Sequence, residues 1–230
     1  MTKKEKSTKD KENKPVKKSI LKYFLYGFAI LILILIFLGY LFLRTPSEKI
    51  EFVIIDKING NVEINQDNTW ILAKEGVILE KTDKIRTNSG NITLNINNGI
   101  FLYLEPNSEV EIQEILKENI NIKLNKGSSW TKFVNVLGIE TYEVETPNAV
   151  AIVRGTEFKV TFKNNSTELI TTEGKVNFTD ENNNSILVGK YVKYSVDSKG
   201  LKKEELTIED KKEILKNKKI ILENLKKARL

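Results

Sequence analysis

The order of apolar and polar residues divides the chain into three regions with different periods. The first is a run of 21 residues without a charge, 23–43. Apolar and polar residues then alternate from Glu51 to about Asp197, and from Thr207 the period becomes helical. An unbroken run predicts a membrane-spanning helix, alternation predicts strands, and a period of 3.6 predicts an amphipathic helix.

The apolar run predicts an anchor that is not cleaved. At about 1.5 Å per residue it forms a helix of roughly 32 Å, which matches a hydrocarbon core of about 30 Å. It is longer than the apolar part of a signal peptide, and residues 39–46 contain no small-x-small cleavage site. A cleaved leader is the alternative. We therefore expect the lipid bilayer to be the partner of residues 23–43.

Lysines before the run predict its orientation. Residues 1–22 contain nine lysines and three acidic residues, and few apolar ones. The positive-inside rule places this end in the cytoplasm, as a disordered basic tail. Everything after the linker 44–50 is then extracytoplasmic, so the predicted localisation is the cell membrane, single-pass, with the N-terminus inside.

The alternating region, 51–200, predicts an extracytoplasmic all-β domain. Short alternating sets are separated by turn signals such as Asn98-Gly99, which predicts a type I′ hairpin. The run 149–153 is continuously apolar and predicts a strand buried on both faces. Many short strands with little helical pattern indicate a mainly β fold, arranged as a sandwich or a solenoid.

Residues 201–230 predict a basic C-terminal helix. Thr207 is a suitable N-cap with Asp210 three residues later, and Ile214, Ile221 and Leu225 form an apolar stripe. Three interpretations stay open for this helix: docking on its own β domain, pairing with a partner helix, or lying on an anionic surface.

Composition excludes several functions. The net charge of +6 comes from the two ends of the chain, because residues 44–201 contain 18 basic and 22 acidic residues. A basic pI is therefore no indication of nucleic-acid binding, and we expect no nucleic-acid partner. The chain has neither cysteine nor histidine. We expect no catalytic residues, no metal site and no small-molecule cofactor, and we interpret carboxylate pairs such as Glu143 and Glu145 as a solvated strand face.

An ordered set of motifs resembles the FecR-type domain, a family of extracytoplasmic β-rich modules in envelope proteins. The central motif is the segment 146–162, which contains Val-Arg-Gly-Thr-Glu-Phe at 153–158. Further elements match in the family's order, between residues 55 and 197: Trp70, 75–76, 83–87, 99–112, 124–130, 173–176 and 188–192.

The resemblance implies a regulatory domain. Better-known members are single-pass regulators whose outer domain receives a signal from a transporter and whose cytoplasmic domain passes it to a sigma factor. This chain departs from that plan, because its 22-residue tail is too short for a folded sigma-binding domain and its C-terminal end is one helix. The domain and its topology are therefore expected to transfer, whereas the sigma-factor mechanism does not.

These patterns lead to a functional hypothesis. We expect a non-catalytic, membrane-anchored binding module that senses or relays a signal through a protein partner in or outside the membrane. An envelope scaffold that binds a surface polymer or a membrane-protein assembly is the alternative. The signature residues Arg154, Gly155, Thr156 and Phe158 are either structural or a partner contact. We favour a structural Arg154 that ties neighbouring strands through backbone carbonyls or a carboxylate such as Glu157 or Glu145. The ligand-binding residues stay open.

Overall fold

The computed structural model describes residues 17–43, 52–116, 118–134 and 139–227. The chain divides into two compact units, Met1–Lys49 and Ile50–Leu230. The linker 44–50 and most of the predicted tail 1–22 lie outside the described residues, so their predicted conformations stay predictions.

The first unit contains helix α1, Lys17–Leu43. Among the described residues it is the one helix that is long and apolar enough to cross a membrane, and its segment Lys22–Tyr40 has a mean hydropathy of 2.4. The helix begins six residues before the predicted start at residue 23. Its length and composition are compatible with a single-pass anchor.

The second unit is mainly β, as predicted. Its described residues form 17 strands followed by helix α2, Ile208–Lys227. The strands are β1 Val53–Asn59, β2 Val62–Gln66, β3 Thr69–Leu72, β4 Ile78–Leu79, β5 Lys84–Thr87, β6 Asn91–Ile96, β7 Ile100–Leu104, β8 Ser108–Ile115, β9 Asn119–Phe133, β10 Thr141–Thr146, β11 Ala149–Val153, β12 Glu157–Lys163, β13 Ser166–Glu173, β14 Val176–Asp180, β15 Ser185–Val188, β16 Val192–Asp197 and β17 Gly200–Glu204.

The strands form two sheets that share β9. The first sheet has the order β4-β1-β6-β7-β9-β12-β13-β16-β17. The second has the order β3-β2-β5-β8-β9-β10-β11-β14-β15. Only the described pairing of β9 with β10 is parallel. From β12 onward, hairpins are added to the two sheets alternately.

The core lies between the two sheets, so the fold is a sandwich. Alternating apolar side chains point inward, for example Ile92, Leu102 and Phe158 from the first sheet and Ile64 and Val110 from the second. Each of these is at most 1% exposed. The alternation read from the sequence therefore marks the inward face of each strand correctly.

Two local predictions were wrong in detail. The hairpin between β6 and β7 exists, but its positive φ angles belong to Asn97 and Asn98, and the amide of Gly99 donates to Ile96. Asparagine tolerates this region of φ/ψ space, so the type I′ turn needs no glycine at its centre. Strand β11 is buried on one face only, because its outward residues Val150 and Ile152 lie on the outer side of the second sheet.

Crossovers between the sheets come close together at one corner of the sandwich. Gly60 follows β1 and Gly90 precedes β6, and a Cβ on Gly90 would lie 2.5 Å from the carbonyl oxygen of Asn59. No side chain fits at this distance. Gly60 and Gly90 are therefore also needed because the backbones of these two connecting segments lie in close contact.

Helix α2 packs on the outer side of the first sheet, the first of the three interpretations left open. Its start is capped as predicted, because the amide of Asp210 donates to Thr207 Oγ1 and the amide of Thr207 donates to Asp210 Oδ2. Ile214 is buried against the sheet. The side chains of Ile221 and Leu225 lie outside the described ones. Our boundary at residue 201 falls inside β17, and the helix begins at Ile208.

Candidate functional site

The signature motif forms an exposed turn on a buried base. Arg154 and Gly155 connect β11 in the second sheet to β12 in the first, and both are exposed. Thr156 and Phe158, which follow, are 5% and 0% exposed. We call residues 154–156 the signature turn. A rigid strand end beneath an exposed loop is a common way to present a contact residue.

A second signature element supports this turn from the side. Gly174, between β13 and β14, has a φ of +74°, and a Cβ there would lie 2.7 Å from Thr156 Cγ2. The two crossovers therefore touch. Below them, Glu157 is 1% exposed, and its carboxylate is paired with Lys132. Lys132 Nζ also lies 3.7 Å from Glu173.

Arg154 does not make the structural ties that we expected. Glu157 is paired with Lys132, and Glu145 lies 3.9 Å from Lys123. Within the described part of the chain, Arg154 has no hydrogen-bond or ion-pair partner. Its side chain is exposed, and the partner-contact interpretation stays a prediction.

Helix α2 covers a row of side chains on the first sheet. The row contains one outward residue from each of five neighbouring strands: Tyr103, Trp130, Lys159, Ile170 and Lys193. We call this row the covered face. Lys193, at one end of the covered face, contacts Asp210 near the start of α2. Tyr103, at the other end, lines a cavity together with Ile220 of the later part of α2. The helix therefore crosses the strands.

The centre of the covered face holds a buried charge network. Lys159 is 7% exposed and is paired with Glu213 of α2, and its Nζ lies 3.3 Å from Glu105. Glu105 also accepts hydrogen bonds of 3.2 Å from Trp130 Nε1 and from Asn217 Nδ2. One lysine and one tryptophan of the sheet are thus joined to two polar residues of the helix.

Burial and proximity set the protonation of the two carboxyls. Burial, together with the hydrogen bond to Glu105, raises the pKa of Glu213 above its usual value. Burial also acts to raise the pKa of Glu105, but the hydrogen bond with Glu213 and the charge of Lys159 outweigh it, and the pKa is lowered. Glu213 therefore takes up a proton more readily than Glu105 does.

A second lysine fixes the start of α2. Lys193 Nζ lies 3.0 Å from Glu168 and 3.4 Å from Asp210. Burial acts to lower the pKa of Lys193, but Glu168 and Asp210 outweigh it, and the pKa is raised. The capping residue of the helix is therefore also its ionic contact with the sheet.

The outer side of the second sheet, which we call the open face, carries no helix among the described residues. Arg86 stacks on Trp70, with its guanidinium carbon 4.0 Å from the ring centroid, and its Nε donates to Glu63 at 2.6 Å. Trp70 and Arg86 belong to two elements of the resemblance. Burial and two neighbouring carboxylates raise the pKa of Glu143 on the same face.

The described residues contain no group of three carboxylates that could hold a metal ion. One groove of about 420 Å³ is lined by Phe162, Lys126 and Lys163 among others. A second, of about 350 Å³, lies between β1, β6 and the later part of α2. Neither brings together groups with an evident reaction.

Hydrophobic periodicity missed the polar residues that dock α2. Asp210 and Asn217 are 9% and 2% exposed, seven residues apart on the buried side of the helix. Lys159 stands between the buried residues Phe158 and Val160, at an outward position of its strand. The signal for this site was two polar residues with heptad spacing on the helix, which meet Lys193 and Glu105 of the β domain.

Comparisons with known proteins cover the signature turn and its surroundings. A family model described as FecR protein matches residues 83–177, from just before β5 into β14. Two solved structures of a candidate anti-sigma factor from Parabacteroides distasonis ATCC 8503 share 16% identity with the chain at a TM-score of 0.46. Each alignment covers 53% of this chain and 59% of the solved one, so the chain spans about three fifths of their length. No curated protein matches the chain.

Proposed function

We propose, from the match of residues 83–177 to the family model described as FecR protein, that the protein is a membrane-anchored signalling module that binds a protein partner outside the membrane. The family match carries this proposal. The apolar helix α1 supports the anchor. The role is binding and relay, without catalysis and without a cofactor.

The orientation of the chain follows from its charges. Nine lysines before α1 favour a cytoplasmic N-terminus, and the FecR domain is then extracytoplasmic. The chain has no cysteine, so single cysteines report their location cleanly. With Thr2→Cys and Lys199→Cys in intact cells, a membrane-impermeant maleimide is expected to label residue 199 and not residue 2. The reverse pattern would overturn the orientation.

We assign the partner contact to the signature turn. The guanidinium of Arg154 is exposed and offers five donors in a planar fork, a geometry that matches a carboxylate. Gly155, beside it, has a φ of +141° and open space where a Cβ would stand, so a partner can approach the backbone. An acidic segment of the partner is the chemistry that this turn recognises.

Signal relay needs an output on the inner side of the membrane, and in this proposal the protein partner supplies it. In this arrangement the FecR domain is the outer half of a two-part sensor, and α1 keeps it at the membrane surface.

Site-specific cross-linking tests the proposal. A photoreactive amino acid replaces Lys175, which is exposed beside the turn, so that Arg154 stays in place in the full chain in intact membranes. A matched variant carries it at Lys199, which is also exposed, in a turn at the opposite end of the strands of the first sheet. We expect residue 175, and not residue 199, to capture one discrete protein with a cytoplasmic domain.

The other outcomes separate the alternatives. Capture of cell-wall or surface-layer material at residue 175 would favour the envelope scaffold and end the regulatory interpretation. Equal capture at both positions, or capture at neither, would remove the signature turn from the binding site.

A further inference from the structure

Charge is segregated between the two sides of helix α2. Its carboxylates Asp210 and Glu213 face the sheet, where they contact Lys193 and Lys159. The opposite side is lined mainly by exposed lysines and apolar residues, which we call the outer stripe: Ile208, Lys211, Lys212, Leu215, Lys216 and Lys219. Glu209 and Glu223 are also exposed, near its two ends. Docking on the sheet thus leaves free a side on which lysines outnumber carboxylates.

The outer stripe also exposes large apolar side chains. Ile208 is 66% exposed and Leu215 is 71% exposed, seven residues apart on one face of the helix. Neither contributes to packing against the sheet, since Ile214 does that. Leucine and isoleucine between lysines are the composition of a helix that lies in the interface of an anionic bilayer.

A second element extends this surface. Tyr191, between β15 and β16, is 50% exposed, and the amines of Lys190 and Lys218 lie 4.9 and 5.5 Å from its ring centroid. Lys218 belongs to α2, so the tyrosine stands beside the helix. A tyrosine with a polar tip and flanking lysines suits the headgroup layer of a membrane.

We infer that the outer stripe of α2, together with Tyr191, is a contact surface for anionic lipid headgroups. The inference rests on the proposed membrane anchor, which holds the domain near a bilayer. The lysines attract the headgroups, and Ile208 and Leu215 enter the boundary between headgroups and acyl chains. A partner protein is disfavoured because the apolar residues are few and widely spaced, while lysines dominate the surface.

The test uses the full chain in vesicles, with an environment-sensitive fluorophore on Leu215→Cys. The control carries it on Leu187→Cys, which is 58% exposed on β15 of the second sheet, away from α2. In phosphatidylcholine vesicles with one quarter phosphatidylglycerol, we expect the label at residue 215, and not at residue 187, to shift to the blue. Lipids that carry a quencher near the headgroup should quench it.

Charge variants sharpen the result. Lys212→Gln with Lys219→Gln should lower the ratio of membrane-bound to free helix by roughly thirtyfold, and 0.5 M salt should weaken the contact in the parent chain. If residue 215 stays as exposed to water as residue 187, the inference is overturned. A blue shift that rises with protein density, persists in pure phosphatidylcholine and is not quenched by lipid indicates contact between copies, which also overturns it.

Failure of the anchor gives a different result. A chain without a membrane anchor would be released from the vesicles by 0.5 M salt, whereas failure of the inference alone leaves a chain that floats in salt with a water-exposed residue 215.

Discussion

The covered face and the open face of the sandwich carry the same kinds of charged residues under opposite conditions. On the covered face Lys159 is buried and in contact with Glu105 and Glu213. On the open face Lys84 lies 3.5 Å from Glu111, and its side chain is 43% exposed. Water screens the exposed Lys84–Glu111 pair and not the buried contacts of Lys159. Ion pairs between the same residue types therefore contribute different free energies to stability. The difference explains why a lysine-rich helix can be held by its few acidic residues.

The largest expected effect comes from removing the buried cation. Lys159→Met leaves Glu105 and Glu213 together without their counter-charge, and breaking one side of a buried pair costs about 3–5 kcal/mol. We expect the free energy of unfolding to fall by about 3 kcal/mol, with the buried Trp130 becoming exposed to water. Denaturant unfolding of the full chain, followed by tryptophan fluorescence, measures both.

The open face provides the control for that experiment. Lys84→Met removes an exposed pair of the same composition and should cost less than about 1 kcal/mol. Equal losses at the two positions would contradict the comparison, because they would mean that burial under α2 adds nothing to the ion pair.

The next effect isolates the apolar part of the docking. Ile214 is 6% exposed and packs with Tyr103, Trp130 and Ile170, whereas its neighbour Leu215 is exposed. We expect Ile214→Ala to lower the free energy of unfolding by about 2 kcal/mol and Leu215→Ala to change it by less than about 0.5 kcal/mol. Thermal unfolding of the two variants decides the point, and similar losses would show that α2 is packed differently.

A smaller effect is expected from pH. Burial acts to raise the pKa of Asp210, but hydrogen bonds from Thr207 and contact with Lys193 outweigh it, and the pKa is lowered below 3.8. A carboxylate whose pKa is lowered by folding stabilises the fold at any pH above its pKa in the unfolded chain. This stabilisation is lost as the pH falls through its pKa in the folded chain. We therefore expect the Asp210 contribution to be constant near neutral pH and to weaken below about pH 4.

Hydrogen exchange of the α2 amides measures this dependence. Asp210→Asn should lower the protection of the α2 amides against exchange at pH 7. It should also remove the pH dependence of this protection below about pH 4, where an Asp titrates in an unfolded chain. Glu213 has a raised pKa, so its ionisation destabilises the folded state as the pH rises, opposite to the effect of Asp210. This contribution is the same in the parent and in the variant. Parallel profiles for the parent and the variant would remove Asp210 from the docking mechanism.

The mainly β fold could be predicted from the sequence, because strands that bury one face show alternation of apolar and polar residues, but that alternation did not distinguish a sandwich from a solenoid. Ile92, Leu94 and Ile96 of β6 are all fully buried. The sharing of β9 between the sheets could not be predicted. The inward positions are even-numbered before Gly127, as at Ile122, and odd-numbered after it, as at Thr131, and the polar residues that point inward after Gly127 give no apolar alternation that would show the change. Strand pairing depends on contacts distant in sequence, which periodicity does not encode.

The candidate site shows the same division. The motif around Arg154 was identified from the sequence. The exposure of Arg154 was not predicted, because an arginine next to a buried strand suggests a buried side chain that bonds to neighbouring strands. The docking face of α2 was missed because Asp210 and Asn217 are polar, and a hydrophobic stripe counts them as solvent-facing. Only the contacts of Asp210 with Lys193 and of Asn217 with Glu105 give these two residues a reason to be buried.

The smallest expected effect on stability is at Arg154, and it separates fold from function. Because the exposed side chain has no partner among the described residues, Arg154→Ala should change the free energy of unfolding by less than about 0.5 kcal/mol. Its neighbour provides the contrast, since Thr156→Arg would place a long charged side chain against Gly174 and lower the melting temperature. In intact membranes, Arg154→Ala should nevertheless weaken partner capture by a photoreactive residue at position 175, beside the turn. A large loss of stability in Arg154→Ala would return this residue to a structural role, and unchanged capture would place the partner contact elsewhere on the domain.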